Sequence, residues 1–196
     1  SSLGLLVLFV FFGMLFGAGW LVEERRNGTL SRLVAAHGAS LAWYVSNWLA
    51  MCAIGLGLTT VLLGGSSLLA GEPPIRGGPS WVLLLSYIAC VASIGMLMSS
   101  LFPSAARLQA ATPVIAIVSG FAGGCLWNQR GMVGGLPFVA LATPQGWVLQ
   151  ALGRLYANPA DQTWRQAVLV LCTAAAISGL LGWLLLQRAI RRGAAS

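Results

Sequence analysis

The chain has 196 residues, of which 58% are hydrophobic and only 8% are charged, and its mean hydropathy is +0.84. Soluble domains are about 45–50% apolar and about 25% charged, so this composition excludes a water-soluble fold and predicts an all-α integral membrane protein. The net charge is +7, and Arg supplies all of the positive charge. We expect these Arg residues to lie in loops beside the membrane. Nucleic-acid binding is excluded as a function because no basic stripe carries interleaved aromatic residues.

Five apolar segments are predicted to cross the membrane. Each is long enough, at about 1.5 Å per residue, to span a hydrocarbon core of about 30 Å. The predicted helices cover residues 3–22, 41–70, 81–101, 108–127 and 166–187 approximately.

The most polar stretch lies between the first two segments and predicts a short amphipathic helix over residues 29–37 at the membrane surface. Gly28 can end the preceding helix and Thr29 can cap the new one. Leu30, Leu33 and Val34 follow at helical spacing and give the short helix one apolar stripe.

The region from about residue 128 to residue 163 is interrupted by Gly and Pro and is too broken to span a bilayer. Residues 136–141 and 147–155 are predicted to form short helices that lie in, or dip into, the membrane face. Irregular backbone at that depth must be covered by protein or reached by water.

The distribution of Arg predicts the orientation. With five crossings, the side that holds the 23–38 loop, the loop at Arg107 and the C-terminus carries seven Arg, and the other side carries four. The positive-inside rule makes the first side cytoplasmic. The N-terminal residue would then be external, so we expect a further helix before this segment. The expected location is the plasma membrane, in bacteria the inner membrane.

Catalytic motifs are missing from the sequence. There is no HExxH, no GxSxG and no pair of carboxylates, and His37 is the single histidine. Without any Lys the chain cannot carry a standard P-loop. The cores of the predicted membrane helices, counted after Trp48 in the second, hold no Asp, Glu, Lys, Arg or His, whereas ion-coupled transporters normally place such groups near the midplane. An energy source outside the membrane is therefore expected for any uphill transport.

Three motifs, in this order, resemble the ABC type-2 transporter permeases. The first is the run Glu24-Arg25-Arg26-Asn27-Gly28-Thr29-Leu30-Ser31-Arg32-Leu33, which is followed by Trp43 and a new membrane helix. The second is Ser99-Ser100-Leu101-Phe102 followed by Gln109 and Pro113. The third is Gly123-Gly124, Leu136-Pro137 and Thr143-Pro144-Gln145-Gly146-Trp147. The family usually has Pro where His37 and Gly38 stand, and its first helix and large external region have no counterpart in these 196 residues.

The resemblance implies that the five segments are the second to sixth helices of a six-helix permease. The amphipathic helix would be a coupling helix resting on an ATPase, and the region before the last helix would be re-entrant. The implied ATPase-coupling residues are Glu24, Arg25, Arg26, Gly28, Thr29, Leu30, Arg32, Leu33 and Val34. The implied re-entrant residues are Gly123, Gly124, Pro137, Pro144 and Trp147. The resemblance assigns no catalytic, metal-binding or cofactor-binding residue to this chain, because ATP and Mg would be bound by the partner ATPase.

The implied function is export of an amphipathic or hydrophobic cargo, such as a drug, a lipid-linked molecule or a peptide, by alternating access. The partners would be an ABC ATPase subunit, a second permease half, identical or different, and membrane lipid. The principal alternative is a membrane scaffold or regulatory subunit without transport activity. A membrane-embedded enzyme and a self-contained channel are less well supported, since ionisable residues do not converge in the predicted membrane core.

Overall fold

The computed structural model describes residues 2–27, 40–70, 77–126, 140–158 and 160–193. In these ranges the secondary structure is helical, without strands. The helices are α1 (Ser2–Gly17), α2 (Gly19–Arg26), α3 (Ser40–Ala70), α4 (Gly78–Leu101), α5 (Ala105–Ala122), α6 (Pro144–Ala157) and α7 (Trp164–Gly193).

Five of the described helical stretches are long and apolar enough to cross a membrane, which agrees with the predicted number of crossings. They are Leu3–Arg26, Leu41–Leu68, Gly78–Leu101, Ala105–Ala122 and Trp164–Arg188. The first combines α1 and α2, which are separated only by a turn at Ala18. The all-α membrane fold predicted from composition is thereby confirmed for the described part of the chain.

Several helix ends differ from those expected from hydropathy. The first span continues to Arg26, four residues past residue 22, because a charged last turn can remain helical in the headgroup layer. Helix α5 ends at Ala122, before residue 127, since Gly124 adopts a positive φ of 78° that breaks the helical path. Helix α7 runs to Gly193 and so includes the Arg residues that follow its apolar part.

Helix α4 lies at the centre of the bundle and contacts every other described helix. Two of its polar side chains bond across to neighbours. The Tyr87 hydroxyl donates to the Val7 carbonyl of α1 at 2.9 Å, and Ser93 Oγ accepts from the Trp48 indole of α3 at 2.9 Å. These bonds satisfy polar groups where water is absent, which the membrane interior requires.

The most extensive helix–helix contact joins α4 to α7. Glycine makes this approach possible: a Cβ added at Gly182 would lie 3.2 Å from Leu97 Cα and 2.9 Å from the Tyr44 hydroxyl oxygen. Small residues at such positions allow helix backbones to pack closely in membranes. The α4–α7 pair is therefore the most tightly joined unit of the described bundle.

The ends of α2, α4 and the C-terminal half of α7 lie at the same end of the bundle. Arg25 of α2 contacts the carbonyls of Ser100 and Phe102, and the Ser100 hydroxyl is 3.2 Å from the Gly182 carbonyl of α7. We call this the Arg25 end. At the opposite end, Gly4 of α1 touches the Cys125 carbonyl just after α5, and Gln145 of α6 bonds to Ser119 of α5; we call it the Gln145 end.

The Gly182→Ala substitution should lower the free energy of unfolding in detergent by about 1–3 kcal/mol, because the new methyl group forces α4 and α7 apart. The matched control is Gly179→Ala, whose methyl group would be 3.7 Å from Ser93 Oγ, an ordinary contact. Both substitutions replace Gly by Ala inside a helix and so gain the same helix propensity. The difference between their melting temperatures therefore measures the effect of pushing the two helix backbones apart. If the two variants had equal melting temperatures, close packing at Gly182 would not be what joins α4 to α7.

Candidate functional site

The charged turn at the end of α2 is the described part of the predicted coupling site. Glu23 and Arg26 are exposed and form a loose ion pair of 3.9 Å between them. Exposed pairs of this kind contribute little to stability, so both side chains remain available to a partner. Glu24 is partly buried, and one of its carboxylate oxygens has no hydrogen-bond partner among the described residues.

Arg25 has a different environment from Arg26. It is partly buried, and its guanidinium donates to the Phe102 carbonyl at 2.9 Å and to the Ser100 carbonyl at 3.5 Å. These carbonyls are at the C-terminal end of α4, where backbone oxygens lack intrahelical partners and the helix dipole attracts cations. The structure thus gives Arg25 a partner within its own chain.

The other predicted coupling residues lie outside the described residues, and their role stays a prediction. They are Gly28, Thr29, Leu30, Arg32, Leu33 and Val34. The predicted coupling helix at 29–37 and Pro137 of the predicted re-entrant region are also outside the described ranges.

The re-entrant region that sequence predicted contains one long described helix, α6, at the Gln145 end. Thr143 caps it, accepting a hydrogen bond from the Gly146 amide at 3.3 Å, and Pro144 occupies its first turn. The Trp147 indole donates to the Leu141 carbonyl at 2.8 Å and fixes the turn that precedes the helix. At 14 residues, α6 is too short to cross a bilayer of about 30 Å.

Gln145 joins α6 to the end of α5; it is part of the third sequence motif but not one of the implied re-entrant residues. Its side chain is fully buried, and its amide nitrogen donates to Ser119 Oγ at 3.1 Å, while its amide oxygen has no partner within the described structure. A Cβ at Gly123 would lie 2.7 Å from Gln145 Cβ and 2.8 Å from Thr143 Oγ1. Gly123 therefore leaves the space that this contact occupies. A polar residue in the first turn of a helix is normally expected to face solvent, so the sequence gives no sign that Gln145 is buried.

A groove of about 400 Å³ runs between α4, α6 and α7. Its lining is almost entirely apolar and includes Ile94, Leu97, Trp147, Ile177 and Leu181. Apolar grooves of this size can accept hydrophobic chains. Among its lining residues there is no charged side chain that would select a charged ligand.

Helices α1 and α5 pack against each other and each keeps an apolar face exposed. On α5 the exposed residues recur at helical spacing, and on α1 they include two Phe. The exposed set is Leu5, Phe9, Phe16, Val114, Ile117, Val118 and Phe121. This uncharged surface on two neighbouring helices is a candidate cargo path or subunit interface.

Asp161 organises the turn between α6 and α7, outside the membrane-spanning stretches. Its carboxylate accepts from the backbone amide and the hydroxyl of Thr163, both at 2.9 Å, directly before α7 begins. These hydrogen bonds, with a smaller contribution from the charge of Arg154, lower the pKa of Asp161. The stabilisation is present at neutral pH and is lost as the pH falls through that lowered pKa.

Within the described ranges, His, Cys, Asp and Glu do not gather in groups of three or more that could hold a metal ion. The four cysteines are free thiols: Cys52, Cys90 and Cys172 lie on α3, α4 and α7, and Cys125 lies just after α5. The arrangement is that of a membrane bundle with a charged end and an apolar interior.

Comparison with known protein families gives one match that covers most of the chain. Residues 2–184 match the family described as ABC-2 family transporter protein. No curated protein matches the chain. The family match confirms the resemblance predicted from the three sequence motifs.

The Gly123→Ala substitution should separate α6 from α5, because its methyl group would overlap Gln145 and Thr143. We expect a loss of about 1–3 kcal/mol in stability and faster proteolysis at the start of α6. The control is Gly153→Ala in α6 itself, where an added Cβ meets nothing within 4 Å. Unchanged proteolysis in the Gly123 variant would show that the contact does not hold α6.

Proposed function

Because the chain belongs to the ABC-2 transporter family, and is thus a multi-pass permease subunit that associates with an ABC ATPase, we propose that it exports an amphipathic or hydrophobic cargo. The pumping cycle would be alternating access between two permease halves above two ATPase subunits. The chain itself would carry no ATP site, since it contains no Lys for a standard P-loop.

The observation that carries this proposal is the uncharged, exposed face of α1 and α5. Several large apolar side chains on these neighbouring helices stay uncovered, and no charged residue lies in the chain from residue 2 to residue 22 or from 108 to 122. A path lined in this way suits drugs, lipid-linked molecules or hydrophobic peptides. It does not suit small ions, which need polar or charged groups along their route.

The Arg25 end is proposed to face the cytoplasm and the ATPase. Three observations support this: the exposed Glu23–Arg26 pair, the partly buried Glu24 oxygen without a described partner, and the excess of Arg on this side of the chain. The apolar stripe predicted at Leu30, Leu33 and Val34 would insert into an ATPase groove in the helix-in-groove mode.

Co-expression of the full-length permease with an ATPase encoded beside it tests the ATPase contact. We expect a stable complex of two permeases and two ATPases, and loss of at least about 2 kcal/mol of binding when Leu33→Ala and Glu24→Ala are combined, because an anchor and a charge are removed together. Arg154→Ala is the control, since this exposed residue belongs to α6 at the Gln145 end. Failure of the wild-type chain to bind any ATPase would favour the scaffold alternative.

Transport assays in proteoliposomes test the cargo path. Val118→Ser on α5 should alter the transport rate of an amphipathic rhodamine dye several-fold. The substitution replaces an apolar contact with the cargo by a hydroxyl, and the lost contact contributes about 1–2 kcal/mol. The control is Leu169→Ser on α7, because Val118 is 62% exposed and Leu169 is 64% exposed. Equal rates in both variants would remove α5 from the proposed path.

A further inference from the structure

The groove between α4, α6 and α7 lies along the membrane-spanning stretches of α4 and α7. Its lining residues on α7 recur at helical spacing from Val170 to Leu181, so they form one stripe along that helix. At 1.5 Å per residue the stripe is about 16 Å long. That length is close to half of a hydrocarbon core of about 30 Å, which is the depth of one leaflet.

The groove is exposed on its α7 side and half-buried on its α4 side. Ile177 and Leu181 of α7 are 61% and 47% exposed, whereas Ile94 and Leu97 of α4 are half-buried. At this depth in a bilayer, the exposed side faces lipid acyl chains rather than water. An empty groove would leave its lining side chains without partner atoms, so we expect the surrounding hydrocarbon to fill it.

The polar side chains of the lining already have partners within the protein. The hydroxyls of Thr143 and Ser178 donate to carbonyls three and four residues earlier in the chain, at 3.1 and 2.7 Å. The Trp147 indole donates to the Leu141 carbonyl. These donors are therefore occupied. The lining favours an apolar chain over a ligand whose own polar groups would be left without hydrogen bonds.

Arg154 lies on the side of α6 that lines the groove. It follows Trp147 by seven residues, which is about two helical turns, so the two side chains share one face about 10 Å apart. Arg154 is exposed, and among the described residues it forms no ion pair. Its charge acts on Asp161 in the turn before α7, but the carboxylate of that residue bonds to Thr163. The Arg154 guanidinium is thus available to an anion at the membrane face beside the groove.

We propose that the groove binds one acyl chain of an anionic phospholipid from the leaflet at the Gln145 end, and that Arg154 binds the phosphate of this lipid. The groove has the length of one leaflet, and a guanidinium offers the planar donors that match a phosphate. The chain adds contact but no selectivity, because lipid tails are as apolar as the groove. The preference for an anionic lipid comes from Arg154. This inference does not depend on the proposed transport activity.

Photo-crosslinking tests whether an acyl chain enters the groove. The full-length permease is purified in detergent, mixed with a limiting amount of phosphatidylglycerol that carries a diazirine in one acyl chain, and irradiated. We expect labelling of Ile94 and Leu97, which bulk lipid reaches less easily than the exposed Leu180. Ala174→Phe fills the groove and should remove most of that labelling. Ala176→Phe is the matched control, since it makes the same change at an exposed residue of α7 outside the lining.

Competition between headgroups tests the role of Arg154. Unlabelled phosphatidylglycerol and phosphatidylcholine with identical chains compete against the probe, and the choline of the second offsets its phosphate charge. In the wild type the anionic lipid should compete about fivefold better, which is the factor that one Arg beside an anionic headgroup supplies. Arg154→Gln should abolish the preference, and Arg154→Lys should retain most of it because the charge remains. The control is Arg165→Gln, an exposed residue at the start of α7 and about 140° around that helix from Val170 of the groove.

Four results would overturn the inference. Equal labelling of Ile94 in the Ala174→Phe and Ala176→Phe variants would show that no chain enters the groove. A preference for phosphatidylglycerol that survives Arg154→Gln would show that the headgroup binds elsewhere. Displacement of the probe by a rhodamine dye but not by unlabelled phospholipid would make the groove a cargo site. A change in the number of permease chains per complex in Ala174→Phe would make it a subunit interface. If Ala174→Phe does not fold, the smaller Ala174→Leu substitution decides.

Discussion

The structure depends on the requirement that α4, which contacts every other described helix, satisfies its polar groups without water. The hydroxyls of four of its serines donate to carbonyls of α4 itself, and three of its side chains also bond to neighbouring helices. The Tyr87 hydroxyl reaches α1, Ser93 accepts from α3, and the Ser100 hydroxyl lies within reach of α7. Other hydroxyls, such as that of Thr59 on α3, bond back to their own helix. A polar side chain in a bilayer is costly unless paired, so these bonds favour one arrangement of helices around α4.

The need to satisfy polar groups without water also separates apolar helix surfaces from the charged turn of α2. Helices α3, α5 and α7 bury little of their apolar surface inside the bundle, as a lipid-facing or partner-facing helix can. The charged turn of α2 is instead partly turned inward, with Arg25 on the backbone of α4. Arg25 therefore links the charged turn of α2 to the helix that contacts every other described helix.

The two neighbouring residues Arg25 and Arg26 have different surroundings that local sequence does not encode. The sequence predicts the same coupling role for both, because nothing local distinguishes two adjacent Arg in a charged loop. In the structure Arg25 bonds to α4, whereas Arg26 is exposed and pairs with Glu23. The burial of Gln145 is not encoded locally either, because it depends on Gly123 at the end of α5, which becomes its neighbour only after folding.

The sequence by itself determined the membrane as solvent, the number of crossings and the family, since each depends on local composition or on motifs contiguous in the chain. The sequence determined the helix ends less closely. The end of α5 depends on the backbone conformation of Gly124, and the end of α2 depends on the surroundings of its charged turn. Only the tertiary structure decided the close pairing of α4 with α7, the contacts of Arg25 with α4 and the bond from the Tyr44 hydroxyl to the Gly179 carbonyl of α7. Those contacts join residues 75 to 135 positions apart, and nothing local in the chain encodes which distant carbonyl a side chain will reach.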